Sequence, residues 1–343
     1  MRSAMRSPSP LLRVDHLSTS FMTEKGELRA VQDVSFTIHA GETLALVGES
    51  GCGKSVTALS IMRLVDPPGR IVAGKILFHG RDLLSLSPDE MRRIRGKSIS
   101  MIFQEPMTSL NPVFTIGDQI GEVLRVHTDL TEHQIRQRVI DLLRKVRISS
   151  PERRLNQYPH ELSGGMKQRV MIAMAIACEP DLLIADEPTT ALDVTIQAQI
   201  LDVLQDLQTE MGMAILLITH NLGVVAQFAQ NVIVMYASQI AERADVHRVF
   251  AHPAHPYTRA LLAAIPRPDS RGRPLESIPG TVPSPLFYPR GCHFSGRCKE
   301  ELPHCAEHPP PVVEVEAGHE AACWLHAPFP CEPSPYTPSV YPQ

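Results

Sequence analysis

Nowhere does the chain hold a run of about 20 apolar residues, the length a membrane-spanning helix requires. Residues 1–10 carry two arginines but lack the apolar stretch of a secretory signal. A basic surplus is missing too. The 33 Lys and Arg face 37 Asp and Glu, a net charge of −4, without the excess that a nucleic-acid-binding surface normally shows. There is no internal repeat, and no CxxC pair of the kind that structural zinc favours. These absences point to a soluble cytoplasmic protein, with no nucleic-acid partner, that relies on other chains for any contact with a membrane.

What is present is organised around Gly48-Glu49-Ser50-Gly51-Cys52-Gly53-Lys54-Ser55, which fits the phosphate-binding pattern GxxxxGK[ST] at every fixed position. The apolar run Thr43–Val47 before it has the length and composition of a buried strand, and Val56–Met62 after it reads as the first turns of a helix. A strand, a glycine-rich turn and a helix N-terminus aim backbone N–H groups at phosphate oxygens. Gly48, Ser50, Gly51, Gly53, Lys54, Ser55 and Val56 form the candidate nucleotide-binding set. Lys54 is expected to reach the β- and γ-phosphates and Ser55 to help hold Mg²⁺.

Strand signals recur at 11–14, 30–38, 98–103, 182–185 and 214–218, with helical patterns between them. This alternation predicts an α/β fold built on a mostly parallel sheet. Ser87 with Glu90 and Thr131 with Gln134 are capping boxes that should start helices. Residues 107–177 read as a helical insertion into the α/β core. Prolines and five of the seven cysteines concentrate late in the chain, which predicts a boundary near 245–255. The expected layout is a tail over 1–10, a nucleotide-binding domain over 11–250, a C-terminal domain over 251–326 and a disordered end over 327–343.

Two further motifs carry chemistry. Leu182–Ala185 is an apolar strand that ends in Asp186 and Glu187. Asp186 is placed to bind Mg²⁺ directly or through water, and Glu187 to polarise a water against the γ-phosphate. Alone, such a strand end is common; downstream of a phosphate loop it reads as functional. Leu162-Ser163-Gly164-Gly165-Met166-Lys167-Gln168-Arg169 places a serine and two glycines at a helix start, a second anion site. One nucleotide does not need two such sites in one chain.

The phosphate loop, Gln104 at a strand end, LSGGMKQR, LLIADEP, Ala191-Leu192-Asp193 and Thr219-His220 follow one another as in the nucleotide-binding subunits of ABC transporters, which this sequence resembles. The resemblance implies a P-loop NTPase fold with a parallel sheet core, an antiparallel β subdomain and a helical insertion. It also implies a head-to-tail pair of ATPase subunits, each ATP lying between one phosphate loop and the LSGG of the other copy. Carried over, Ser163, Gly164 and Gly165 contact the γ-phosphate held by the other copy, and Asp193 bridges the dimer. Glu187 is the general base, His220 contacts the γ-phosphate and the attacking water, and Gln104 senses Mg²⁺ and couples to a membrane subunit. Phe21 stands where that family stacks an aromatic on adenine. Cys52, inside the loop, could make the activity sensitive to thiol reagents.

His255-Pro256-Tyr257-Thr258-Arg259-Ala260-Leu261-Leu262, the cysteine segment 291–305 and the wording of 104–112 narrow the resemblance to the ATPases of dipeptide and oligopeptide importers, over about residues 11–326. This implies ATP-driven peptide import through two permease subunits at the cytoplasmic face of the membrane, fed by an extracytoplasmic peptide-binding protein. The same machinery importing nickel or another small solute stays open, as does a soluble ABC-type ATPase. The latter class usually carries two cassettes or a long coiled coil, neither visible here. Cys292, Cys298, Cys305 and Cys323 stand at C-x5-C-x6-C-x17-C. That spacing matches zinc poorly, and a reducing compartment disfavours disulfides. Four thiolates can hold a [4Fe–4S] cluster, which the resemblance also implies, as a staple for a small Cys- and Pro-rich C-terminal domain. Cys331 falls outside the pattern.

Overall fold

The computed structural model describes residues 9–104, 109–190, 192–265 and 278–328. Its centre is built from three runs that the sequence makes apolar without a break. Thr43–Val47 (β3), Leu182–Asp186 (β7) and Ala214–Thr219 (β8) are buried at every residue. Strands of this kind belong in a parallel sheet covered on both faces. Before them in the chain come Leu12–Thr23 (β1) and Gly26–Ile38 (β2). Gly69–Phe78 (β4), Arg81–Asp82 (β5) and Ile99–Ile102 (β6) lie between β3 and β7, and Asn231–Tyr236 (β9), Gln239–Asp245 (β10), Val312–Glu316 (β11) and His319–Ala322 (β12) follow β8.

Two sheets result. One is antiparallel, in the order β2-β1-β4-β5, and the other runs β11-β12-β10-β9-β3-β8-β7-β6. From β9 to β6 the larger sheet is parallel, and β10, β12 and β11 extend it antiparallel at one edge. The period of two along each strand divides the core. Leu182, Ile184, Leu216 and Ile218 pack toward the antiparallel sheet, while Leu183, Ala185, Ile215 and Leu217 pack toward the helices.

The helices are Lys54–Met62 (α1), Pro88–Ile94 (α2), Ile116–His127 (α3), Glu132–Lys145 (α4), Pro151–Arg154 (α5), Gly164–Ala175 (α6), Val194–Met211 (α7), Leu222–Phe228 (α8), Val246–Ala251 (α9) and Pro256–Ala263 (α10). Both capping boxes form: Ser87 and Glu90 start α2, and Thr131 and Gln134 start α4. Helices α3 to α6 fall between β6 and β7. None of the described helices is long and apolar enough to cross a membrane.

The C-terminal segment packs on the rest of the chain. Its hairpin β11–β12 joins the large sheet through β10, and Tyr257 and Phe294 enter a core cluster with Tyr236 and Ala45. Polar alternation hides these strands, since VVEVE and HEAA have no apolar run. Their stability comes from the edge of a sheet already built. The expected tails, Cys331, Glu105–Thr108 of the glutamine segment and Ala191 lie wholly or largely outside the described residues.

Candidate active site

The phosphate loop leaves β3 at its C-terminal end and enters α1, the position where open parallel sheets place their ligands. Gly48 has φ 152°, and a Cβ there would stand 2.2 Å from the Met235 carbonyl oxygen. Gly53, at φ 105°, would place a Cβ 2.3 Å from the Ala30 carbonyl oxygen. Any side chain at either position would therefore force the loop open. Lys54 Nζ donates to the Gly48 and Glu49 carbonyl oxygens at 2.9 and 3.0 Å, which keeps the buried ammonium at the mouth of the loop. No acidic side chain stands in the first turn of α1, so its N-terminal field is free to act on an anion.

At the tip of β7, Asp186 is 3 % exposed, and its Oδ1 has no hydrogen-bond partner. Burial raises its pKa, a hydrogen bond with the Ser55 hydroxyl works against this, and the neighbouring Glu187 charge adds to the rise. A buried carboxylate oxygen without a partner, next to a serine hydroxyl, is the donor set a Mg²⁺ ion takes, so these residues fit that ion.

Glu187 is held in the left-handed region at φ 48°, a strained conformation for a non-glycine residue. Its main-chain N–H donates to the Ile218 carbonyl of β8 at 2.9 Å. The carboxylate gathers three side chains. Thr190 Oγ1 donates to Oε2 at 2.7 Å, Gln104 Nε2 donates to Oε2 at 3.3 Å, and His220 Nδ1 lies 3.1 Å from Oε1. Burial pushes the Glu187 pKa up, but the hydrogen bonds from Thr190 and His220 and the charges of His220 and Lys54 outweigh it and hold it low. The group therefore stays ionised near neutral pH, as a carboxylate that is to polarise water must.

The remaining candidates sit at the starts of two helices. Ser163 caps α6 by accepting from the Met166 N–H at 3.4 Å. Asp193 caps α7 by accepting from the Ile196 N–H at 2.9 Å. A Cβ on Gly165 would lie 2.8 Å from Ile196, and one on Gly164 3.6 Å from Leu192, so the SGG turn and the Asp193 cap are neighbours. The contacts thus gather the candidates into two groups. One joins the phosphate loop, Asp186, Glu187, Gln104 and His220; the other joins Ser163, Gly164, Gly165 and Asp193. Phe21, half-buried on β1, lies across Gly69 of β4 and beside Val65.

Three residues in or around the site had no role in the sequence reading. Thr190 orients Glu187; a hydroxyl three residues beyond the carboxylate was its only sign. Tyr257 and Arg297 both bind Glu49 of the loop; Tyr257 stood in a quoted motif without a role, and nothing local marks Arg297. Cys52 is corrected: it is 1 % exposed, and burial raises its thiol pKa despite Lys54 nearby, so it is not an accessible nucleophile.

Cys292, Cys298, Cys305 and Cys323 are free thiols, and the charge of Cys305 is felt by the other three. Burial, together with the mutual influence of the group, raises the pKa of Cys292 to about 11 and pushes Cys298 and Cys323 up as well. The Glu300 N–H points at Cys298 Sγ and the Leu302 N–H at Cys305 Sγ, each at 3.4 Å. Among the described residues, no group of three or more His, Cys, Asp or Glu is arranged to hold a single metal ion. The described geometry therefore supports neither zinc nor the expected [4Fe–4S] cluster at these thiols.

Comparison with known proteins agrees with this geometry. Residues 31–190 match the ABC transporter family, and residues 241–305 match the oligopeptide/dipeptide transporter C-terminal region. The dipeptide transport ATP-binding protein of Escherichia coli is 50 % identical over 313 residues, covering 91 % of this chain and 96 % of that one. Its namesake in Bacillus subtilis is 50 % identical over 316 residues, covering 92 % and 94 %. A solved ATP-binding cassette, a post-hydrolysis dimer bound to ADP and Pi, superposes with a TM-score of 0.62 at 26 % identity, over 68 % of this chain and 98 % of that one. The chain belongs to the ATP-binding subunits of ABC transporters, in their oligopeptide/dipeptide branch, and is an ATPase.

Proposed function

We propose that this chain powers the import of di- or oligopeptides by hydrolysing ATP at the inner face of the cell membrane. It would do so with two permease subunits, a second ATPase subunit and an extracytoplasmic peptide-binding protein. The observation that carries the ATPase mechanism is Glu187, held by Thr190, Gln104 and His220 next to Asp186 at the end of β7. One copy offers a phosphate loop with ionised Glu187, and the other would offer Ser163, Gly164 and Gly165, with Asp193 at the seam. A head-to-tail pair then encloses each nucleotide, with adenine against Phe21. The cargo reading draws on the Escherichia coli and Bacillus subtilis relatives, which are dipeptide transport proteins.

In this reading, backbone N–H groups from Gly48 to Val56 and Lys54 Nζ hold the phosphates. Ser55 and Asp186 hold Mg²⁺, with Gln104 reporting on its occupancy. Glu187, oriented by Thr190 and His220, takes the proton of the attacking water, and His220 steadies the γ-phosphate. An ATPase unit over 11–250, its helical part over 107–177, docks to the permeases near Gln104; the unit over 251–326 is an addition to it. Cys292, Cys298, Cys305 and Cys323 would hold a [4Fe–4S] cluster. Their spacing and the N–H groups aimed at the Cys298 and Cys305 sulfurs are what favours this; such a cluster supplies cross-linking of the segment rather than chemistry on ATP.

The test is uptake of labelled dipeptide, longer peptide and nickel in cells lacking the chain, rescued by wild type or by Glu187→Gln. Peptide uptake restored by wild type alone is the expected result. Normal peptide uptake with a nickel defect would replace the cargo, and near wild-type hydrolysis by Glu187→Gln in the assembled complex would remove Glu187 as the base.

A further inference from the structure

We propose that the C-terminal segment is a strut on the phosphate loop, and that Tyr257 and Arg297 are positioning residues that tune ATP affinity through Glu49. Glu49 is the second residue of the loop and is bound at three points. Its N–H donates to Tyr257 Oη at 2.9 Å. Its carboxylate takes both arms of Arg297, Nη1 to Oε2 at 2.9 Å and Nη2 to Oε1 at 3.3 Å. Its carbonyl accepts from Lys54 Nζ at 3.0 Å. A shift of Glu49 therefore moves the lysine that faces the phosphates. Pairing with Arg297 also engages a carboxylate that would otherwise act against a polyanion in the same loop.

Both positioning residues are anchored from behind. Arg297 is 9 % exposed, and its remaining donors reach Tyr236 Oη at 3.0 Å and the Pro279 carbonyl at 2.8 Å. Tyr257 is fully buried, its ring 4.5 Å from that of Tyr236 and 5.4 Å from that of Phe294. Its own N–H donates to His255 Nδ1 at 3.0 Å. The Ala254 and His255 N–H groups donate to the two oxygens of buried Glu242 at 2.8 Å each, and His319 Nε2 lies 2.7 Å from the same carboxylate. A continuous hydrogen-bonded path thus runs from β12 through Glu242, His255 and Tyr257 to the phosphate loop. The His-Pro-Tyr wording at 255–257 acquires a physical reason: histidine caps the helix, proline starts it, and tyrosine reaches the loop.

The inference rests on the reading of this loop as the ATP site, and the experiment separates the two. A non-hydrolysable fluorescent ATP analogue with Mg²⁺ is titrated into the full chain as wild type, Lys54→Ala, Tyr257→Phe, Glu49→Gln, Arg297→Gln and the double Glu49→Gln/Arg297→Gln variant. Thermal melting is recorded for each. Tyr257→Phe and Arg297→Gln are expected to weaken binding by about threefold to tenfold, the usual range for residues coupled in one network. The double variant should bind no worse than Arg297→Gln, because the two act through one contact. Glu49→Gln, which changes one atom at a half-buried site, keeps the test open if Arg297→Gln fails to fold. Lys54→Ala that abolishes binding, while the strut variants keep wild-type affinity or weaken it additively, overturns the strut alone. Unchanged affinity in Lys54→Ala overturns the ATP site itself.

Discussion

His255 offers a prediction whose size follows from its surroundings. It is 3 % exposed, and burial, with the charges of Arg259 and His326 nearby, lowers its pKa to about 3. In the fold it is therefore the neutral acceptor that caps α10, while its main-chain N–H is taken by Glu242. An unfolded chain lets the same imidazole titrate near 6.5. The unfolded state then binds the proton first, so this contribution to stability is complete above about pH 6.5 and is lost as pH falls toward 3. Between pH 8 and pH 5 the loss from this one group is about 2 kcal/mol. Urea unfolding of the full chain at the two pH values measures the total change, and His255→Asn isolates the histidine. Asparagine can still cap the helix but does not titrate. The variant is expected to be less stable at pH 8, because it fills less of the site, and to lose about 2 kcal/mol less than wild type on acidification. Equal losses in the two proteins would refute a buried neutral His255.

Other perturbations act on the site itself. Asp186→Asn keeps the shape beside Ser55 but removes the charge, so ATPase activity should need several-fold more Mg²⁺; an unchanged Mg²⁺ dependence would take Asp186 out of the metal site. Gly48→Ala should lower stability by about 1–3 kcal/mol and prevent nucleotide binding, since its Cβ would press on the Met235 carbonyl; melting and binding like wild type would show that no close approach exists. On the proposed cluster reading, wild type prepared anaerobically should carry iron and visible absorbance that Cys298→Ser lacks; zinc without iron in the wild-type protein would rule out the cluster.

How much of this was legible in the chain depends on the range over which each feature is encoded. The strand–loop–helix around Lys54, the apolar strand that ends in Asp186 and Glu187, and the capped starts of α2, α4 and α6 depend on neighbours a few residues apart. Backbone period, glycine conformation and side-chain capping act over that range, and the residues alone carry them. The order of the parallel strands does not lie in any one segment. It decides that β6, β7 and β8 stand side by side and so bring Gln104 and His220, 83 and 33 residues from Glu187, onto one carboxylate. The same holds for β12, whose polar alternation becomes a strand only because β10 presents an open edge. The pairing of Arg297 with Glu49 spans 248 residues. No spacing announces it. It exists because Tyr236, Tyr257 and Phe294 bury their rings together and hold the guanidinium against the Glu49 carboxylate. Residue types and local order were thus enough to name the chemistry; long-range packing decided which groups share it and what holds them in place.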